Sequence, residues 1–196
     1  MPTAWKKGIK DSGQLLYFNQ GGAWSADIDQ AAVTFNSLGL GVKFTATKEK
    51  SKANVVIKLS MGADSETFDG SVLQTSPSFD ASSLHGFTRT LAELNEQTKV
   101  IGMIFAATFL PGKAKATANQ KNVVIVHEMI HASGLDGGKP DGSKAPDQDH
   151  DTEGVFAPIM NTTADGLIEA TAPAGTKPMP PIRVGSKTTA KMKMIW

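Results

Sequence analysis

TANQKNVVIVHEMIHASGL, residues 117–135, contains the strongest chemical pattern in the chain, His127-Glu128-Met129-Ile130-His131. Residues four apart on an α-helix lie on one face about one turn from each other, so both imidazoles can bind one metal ion. The glutamate between them lies beside that ion without being a ligand. The pattern therefore predicts a zinc site with Glu128 as its general base.

The composition of the chain makes chance a poor explanation for this pattern. There are 4 histidines in 196 residues, and random placement would give H-E-x-x-H roughly 0.003 times in such a chain. The helix is also predicted to be buried, because apolar residues flank the motif on nearly every side: Val123, Val124, Ile125, Val126, Met129 and Ile130. Thr117 and Gln120 predict a capping box at its start, and Gly134 predicts a left-handed turn at its end.

Length, charge and cysteine content limit the class of protein. A chain of 196 residues fits a single domain, or one domain with two lobes around a cleft. A net charge of +1 with no block of like charge argues against a nucleic-acid or membrane partner. No apolar run is long enough to span a bilayer, and the first residues lack the apolar segment of a signal peptide. Because cysteine is absent, only nitrogen and oxygen can bind a metal.

Apolar patterns elsewhere predict an α+β fold with a mixed sheet and helices packed on it. Strands are predicted at residues 15–18, 42–46, 53–59, 86–94 and 99–109, with 53–59 as a central strand. An amphipathic helix is predicted from an N-cap at Ser25 to a stop at Gly39. A closing helix is predicted at 186–196 with Ser186 as its cap. Residues 61–86 are predicted to form a long surface loop.

A third metal ligand has to be found, since a catalytic zinc typically has three protein ligands and a water molecule. The loop after the helix is polar and acidic, and the residues there and beyond leave several candidates open: Asp136, Asp141, Asp147, Asp149, His150, Asp151, Glu153 and Glu169. The same loop leaves a calcium site open, although it lacks the glycine and the acid of an EF-hand loop. His85, ahead of a predicted strand, is expected to be a surface or structural residue.

The run HEMIHASGLD, residues 127–136, resembles the metzincin zinc peptidases, whose pattern is H-E-x-x-H-x-x-G-x-x-H followed by a methionine-containing turn. APIMN, residues 157–161, resembles that turn and supplies Met160. The resemblance, matrixin-like in outline, implies a mixed twisted sheet with two long helices in an upper lobe of about residues 1–135. It implies a smaller lower lobe of about 136–196, with the Met-turn and a C-terminal helix.

The chain departs from the metzincin pattern at the third histidine. That histidine would fall at position 137, which is Gly137, and the next histidine is His150. The resemblance then implies a lengthened zinc-binding loop with His150 as third ligand, while Asp136, Glu153 and Glu169 stay open as alternatives. Gly134 and Met160 would support the site structurally.

The resemblance implies a monomeric zinc-dependent endopeptidase, with one zinc ion and a protein or peptide substrate. An extended substrate is expected to pair with residues 86–92, and residues 180–184 are expected to line the pocket beyond the scissile bond. Secretion or delivery outside the producing cell is expected by analogy alone. Two other functions stay open: a zinc hydrolase of a non-protein amide and a non-catalytic zinc-binding module.

Overall fold

The computed structural model describes residues 5–60, 65–68, 71–74, 86–92, 99–107, 118–135, 182 and 184–196. These residues form an α+β fold, as predicted. Its helices are α1 (Lys7–Ser12), α2 (Ser25–Ser37), α3 (Ala118–Ala132) and α4 (Ser186–Ile195). Its strands are β1 (Gln14–Gln20), β2 (Lys43–Thr47), β3 (Val55–Ser60), β4 (Ser65–Phe68), β5 (Ser71–Gln74), β6 (Gly86–Ala92) and β7 (Lys99–Ala107).

Five of the described strands form one mixed sheet in the order β2-β1-β3-β7-β6. The first four strands run parallel, and β6 pairs antiparallel with β7 at one edge. The prediction of a central strand is confirmed in β3, where Val55, Val56 and Ile57 are all fully buried. Burial of consecutive residues means that both faces of this strand are covered.

Two long helices pack against the sheet, as predicted. Helix α2 contacts β1 and β2, helix α3 contacts β6 and β7, and the two helices contact each other. The core between these layers includes Leu15 and Tyr17 of β1, Ile28 and Phe35 of α2, and Phe44 of β2. Helix α2 therefore packs against α3, and α3 extends to the edge of the sheet that is formed by the antiparallel strand β6.

A hydrogen bond and an ion pair also hold α2 in place. Tyr17 donates a hydrogen bond of 2.7 Å from its hydroxyl to Asp29 on α2, and burial, followed by this bond and the negative charge of Asp29, raises the pKa of Tyr17 above its ordinary value. Lys121 of α3 pairs with Asp27 of α2 at 2.7 Å and lies over the ring of Trp24. The one tyrosine of the chain thus binds a carboxylate of α2.

The loop prediction for residues 61–86 is wrong in part. Strands β4 and β5 form an antiparallel pair there, with Thr67 opposite Val72. Ladder hydrogen bonds join backbone groups, so a polar segment of serine, glutamate and threonine can form a strand without the apolar alternation that predicts one.

Two helix caps also differ from the prediction. Ser25 has helical backbone angles, with φ −56° and ψ −43°, so the N-cap of α2 is Trp24, without a side-chain cap bond. The N-cap of α4 is Gly185 rather than Ser186. Gly39 has φ +65° just beyond α2, as a helix stop requires. Thr117, the predicted cap of α3, lies outside the described residues.

The closing helix is confirmed as α4, and Met192 and Ile195 join the main core cluster. Residues 136–181 lie outside the described part of the chain, so the Met-turn and the division into lobes stay predictions. Among the described residues, no helix is long and apolar enough to cross a membrane.

Candidate metal centre

Helix α3 forms because it is buried, in spite of its sequence. Val123, Val124, Ile125 and Val126 are β-branched residues that each disfavour a helix by up to about 0.7 kcal/mol relative to alanine. All four are buried, and burial of such a side chain contributes about 1.5–3 kcal/mol. Burial therefore stabilises the helix by more than the low helix propensity of these residues destabilises it. The predicted buried helix is confirmed, and burial fixes which residues face the core.

The C-terminal end of α3 is closed by residues from both ends of the chain. Gly134 has φ +130°, in the region that favours glycine, and its N–H donates to the carbonyl of His131. Trp5 donates from its indole N–H to the carbonyl of Ala132, and Trp196 donates to that of Ser133, both at 2.8 Å. Carbonyl groups that a helix end leaves without intrahelical partners are therefore satisfied, and the turn that carries His131 is held firmly.

The two predicted ligands, His127 and His131, face each other on α3. Their ring centroids are 4.6 Å apart and their Nε2 atoms are 2.9 Å apart. Two nitrogens that bind one tetrahedral zinc ion at the usual bond length lie roughly 3.3 Å apart. A small rotation of the rings would therefore bring both Nε2 atoms to ligand positions.

The other ring nitrogen of His131 fixes which atom would bind a metal. Its Nδ1 lies 2.5 Å from the carbonyl oxygen of Leu135, and a carbonyl can only accept, so Nδ1 carries the proton. The lone pair of the neutral ring is then on Nε2, the atom that faces His127. A hydrogen bond from the second nitrogen to a backbone carbonyl is the arrangement by which proteins orient a metal-binding histidine. These two nitrogens could thus serve as two of the ligands of a zinc ion.

Access to solvent differs between the histidines and the glutamate. The side chain of His127 is 18% exposed, whereas that of Glu128 is 7% exposed. Burial raises the pKa of Glu128 to about 7, and a hydrogen bond from Thr88 lowers it in part. A carboxyl group with a pKa near neutrality can accept and release a proton at physiological pH. The side chain of His127 is therefore partly accessible to water, whereas the predicted base, Glu128, is buried beside it.

Two residues of β6 lie beside Glu128, and the sequence pattern around neither of them indicates this. Thr88 Oγ1 lies 2.5 Å from Glu128 Oε2 and 3.0 Å from the carbonyl oxygen of Glu128. Gly86 is so close that a Cβ atom there would lie 2.8 Å from Glu128 Cγ. Both residues are about 40 positions away in sequence, and only the packing of β6 on α3 brings them to the motif.

The structure brings together His127, Glu128, His131 and Gly134. The other predicted residues lie outside the described part of the chain: Asp136, Asp141, Asp147, Asp149, His150, Asp151, Glu153, Met160 and Glu169. Within residues that the structure describes, no group of three or more histidine, cysteine, aspartate or glutamate residues forms a metal cluster. The assignment of a third ligand stays a prediction.

Comparison with known proteins identifies no family for this chain. No protein-family model matches the chain, and no curated protein sequence matches it significantly.

Proposed function

We propose that the chain is a zinc-dependent endopeptidase with a metzincin-like site on α3. The observation that carries this proposal is the orientation of three side chains within one helical turn. His127 and His131 direct Nε2 atoms toward each other at 2.9 Å, and Glu128 Oε1 lies 4.0 Å from His127 Nε2. A purely structural zinc site has no need of a buried carboxylate beside its ligands, so Glu128 favours a catalytic site.

Different residues have different roles in the proposed hydrolysis. His127 and His131 would hold the ion, with His150 as the proposed third ligand from the segment that follows α3. A bound zinc ion supplies Lewis acidity, which makes water a nucleophile at neutral pH and polarises a carbonyl group. Glu128 accepts the proton from the attacking water and delivers it to the leaving amine. The peptide C–N bond breaks, and the products are a carboxylate and a free amine.

The third ligand follows from the metzincin resemblance. Gly134 has the positive φ at which the chain can turn sharply after α3. A loop lengthened beyond position 137 would then return to the zinc at His150, and Met160 would follow as the Met-turn residue. Asp136, Glu153 and Glu169 are the alternative ligands.

The position of β6 supports an extended peptide as the substrate. This strand lies at the edge of the sheet formed by the described strands. Its Thr88 hydrogen-bonds to Glu128, and its Gly86 lies beside the same side chain. An extended peptide can add to the edge of a sheet by backbone hydrogen bonds. A peptide paired with β6 would pass close to the proposed general base. This arrangement favours a peptide over a small non-protein amide.

Removal of the metal tests the proposal. We expect the zinc-loaded chain to cleave an unfolded protein, to lose that activity on treatment with a chelator, and to regain it when zinc is restored. The fragments can be identified by mass spectrometry, and new internal termini would distinguish an endopeptidase from an enzyme that releases single residues. A zinc-loaded chain that releases no fragments from unfolded proteins would contradict the proposal.

A further inference from the structure

We propose that Thr88 is a positioning residue that holds the Glu128 carboxylate in the orientation that directs one oxygen toward the metal ligands, and that Gly86 leaves the space this orientation needs. The inference rests on the proposed function, because it describes how the general base is held. Its structural part, the orientation of the Glu128 carboxylate, can be measured without any activity.

The hydroxyl of Thr88 has one proton and two oxygen neighbours, both of Glu128. These are Oε2 of the carboxylate at 2.5 Å and the backbone carbonyl oxygen at 3.0 Å. A carboxylate accepts a stronger hydrogen bond than a neutral carbonyl, and Oε2 is the nearer atom. The proton therefore goes to Oε2, and the hydroxyl ties this oxygen to β6.

The second carboxylate oxygen is left on the side of the metal ligands. Glu128 Oε1 lies 4.0 Å from His127 Nε2, while Oε2 is engaged by Thr88. A partial rotation of the carboxylate would break the bond to Thr88, whereas a half-turn would only exchange two chemically equivalent oxygens. Thr88 thus holds the carboxylate in an orientation in which one oxygen, here Oε1, lies on the side of His127 and can accept the proton from water.

Gly86 provides the space for this orientation. A Cβ atom at position 86 would lie 2.8 Å from Glu128 Cγ, 2.9 Å from Oε1 and 3.1 Å from Cδ. Real Cβ atoms essentially never lie under 3.0 Å from another atom, so the Glu128 side chain would have to shift. Gly86 and Thr88 are two residues apart on a strand and share one face, so a single face of β6 both binds the carboxylate and makes room for it.

The pairing of β6 with β7 fixes that face relative to α3. Gly86 pairs with Ala106 and Thr88 pairs with Ile104, and α3 contacts both strands. The orientation of Glu128 therefore depends on the sheet as well as on its own helix.

Thr88→Val and Thr88→Ser separate the hydroxyl from the shape of the side chain. Valine keeps the branched shape and the strand preference but removes the donor, whereas serine keeps the donor. We expect Thr88→Val to lower kcat about 10- to 100-fold, the cost of a misplaced catalytic group, with zinc content and KM near those of the parent. Thr88→Ser should restore most of kcat. Thr45→Val, at an exposed position on the opposite edge strand β2, is the matched control.

Gly86→Ala tests the space beside the carboxylate. The added methyl group should displace the Glu128 side chain and lower kcat to a similar extent. Gly8→Ala is the control, since a Cβ atom there meets no atom within 4 Å.

Crystal structures of the metal-free parent, Thr88→Ser and Thr88→Val proteins give the second readout. We expect one carboxylate orientation of Glu128 in the parent and the serine variant, and a rotated carboxylate in the valine variant. A valine variant with the parent orientation would overturn the inference, whether or not the chain cleaves peptides. Parent-like kcat in Thr88→Val, together with an inactive Glu128→Gln variant, would also overturn it while leaving the proposed function intact. An active Glu128→Gln variant would instead contradict the proposed function.

Discussion

Glu128→Gln is expected to lower kcat for peptide cleavage by about 100- to 10,000-fold, the usual contribution of a general base. Glutamine has the size of glutamate and can still accept the hydrogen bond from Thr88 through its amide oxygen. It cannot take up the proton of the attacking water. Because Glu128 is not a ligand in the proposed site, the zinc content should stay at one ion per chain.

The measurement combines metal analysis with cleavage of an unfolded protein. Glu49→Gln is the matched control, because the side chain of Glu49 is exposed and forms a surface ion pair with Lys52. Such a pair contributes little to stability. Parent-like cleavage by Glu128→Gln would remove Glu128 from the mechanism. Loss of zinc in that variant would show that Glu128 is a ligand rather than a base.

His131→Asn is expected to weaken zinc binding by at least about 100-fold, since even residues that only orient ligands change metal affinity 10- to 100-fold. The substitution removes the Nε2 atom that faces His127. It also removes the Nδ1 contact with the Leu135 carbonyl, so the metal-free variant should lose about 1 kcal/mol of stability.

Unfolding with and without zinc separates these two effects. A ligand at 100 times its dissociation constant stabilises the folded state by about 2.7 kcal/mol. The parent should show a stabilisation of this size, and His131→Asn should show almost none. His85→Asn is the control, since this histidine lies outside the predicted motif. An equal response to zinc in the parent and in His131→Asn would contradict the assignment of His131 as a ligand.

Local pattern predicted the parts of the fold whose burial is strong and regular. The apolar run of β3 and the spacing of Ile28 and Phe35 on α2 gave elements that the structure confirms. The β4–β5 pair was missed because its pairing depends on backbone groups that a polar sequence does not reveal. The caps at Ser25 and Ser186 were displaced by one residue, because a cap depends on the backbone angles of a single position.

The same distinction holds for the site. His127, Glu128 and His131 are neighbours on one helix, so helical geometry alone predicts their convergence. Thr88 contacts Glu128 from 40 residues away, and its place in an alternating strand gave no sign of that role. The indole groups that close the end of α3 come from Trp5 and Trp196. Contacts of this kind arise from the order of strands in the sheet and from the meeting of the chain ends, neither of which a single motif encodes.

Anomalous diffraction at the zinc absorption edge, from crystals of the parent chain grown with zinc, tests whether His127 and His131 bind one zinc ion. The proposed site predicts one peak within about 2.0–2.1 Å of Nε2 of both histidines. It predicts His150 as the third protein ligand and Glu128 Oε1 beside the ion without a bond to it. A zinc-saturated crystal with no peak between the two histidines, or with the ion bound elsewhere, would contradict the assignment of His127 and His131 as zinc ligands.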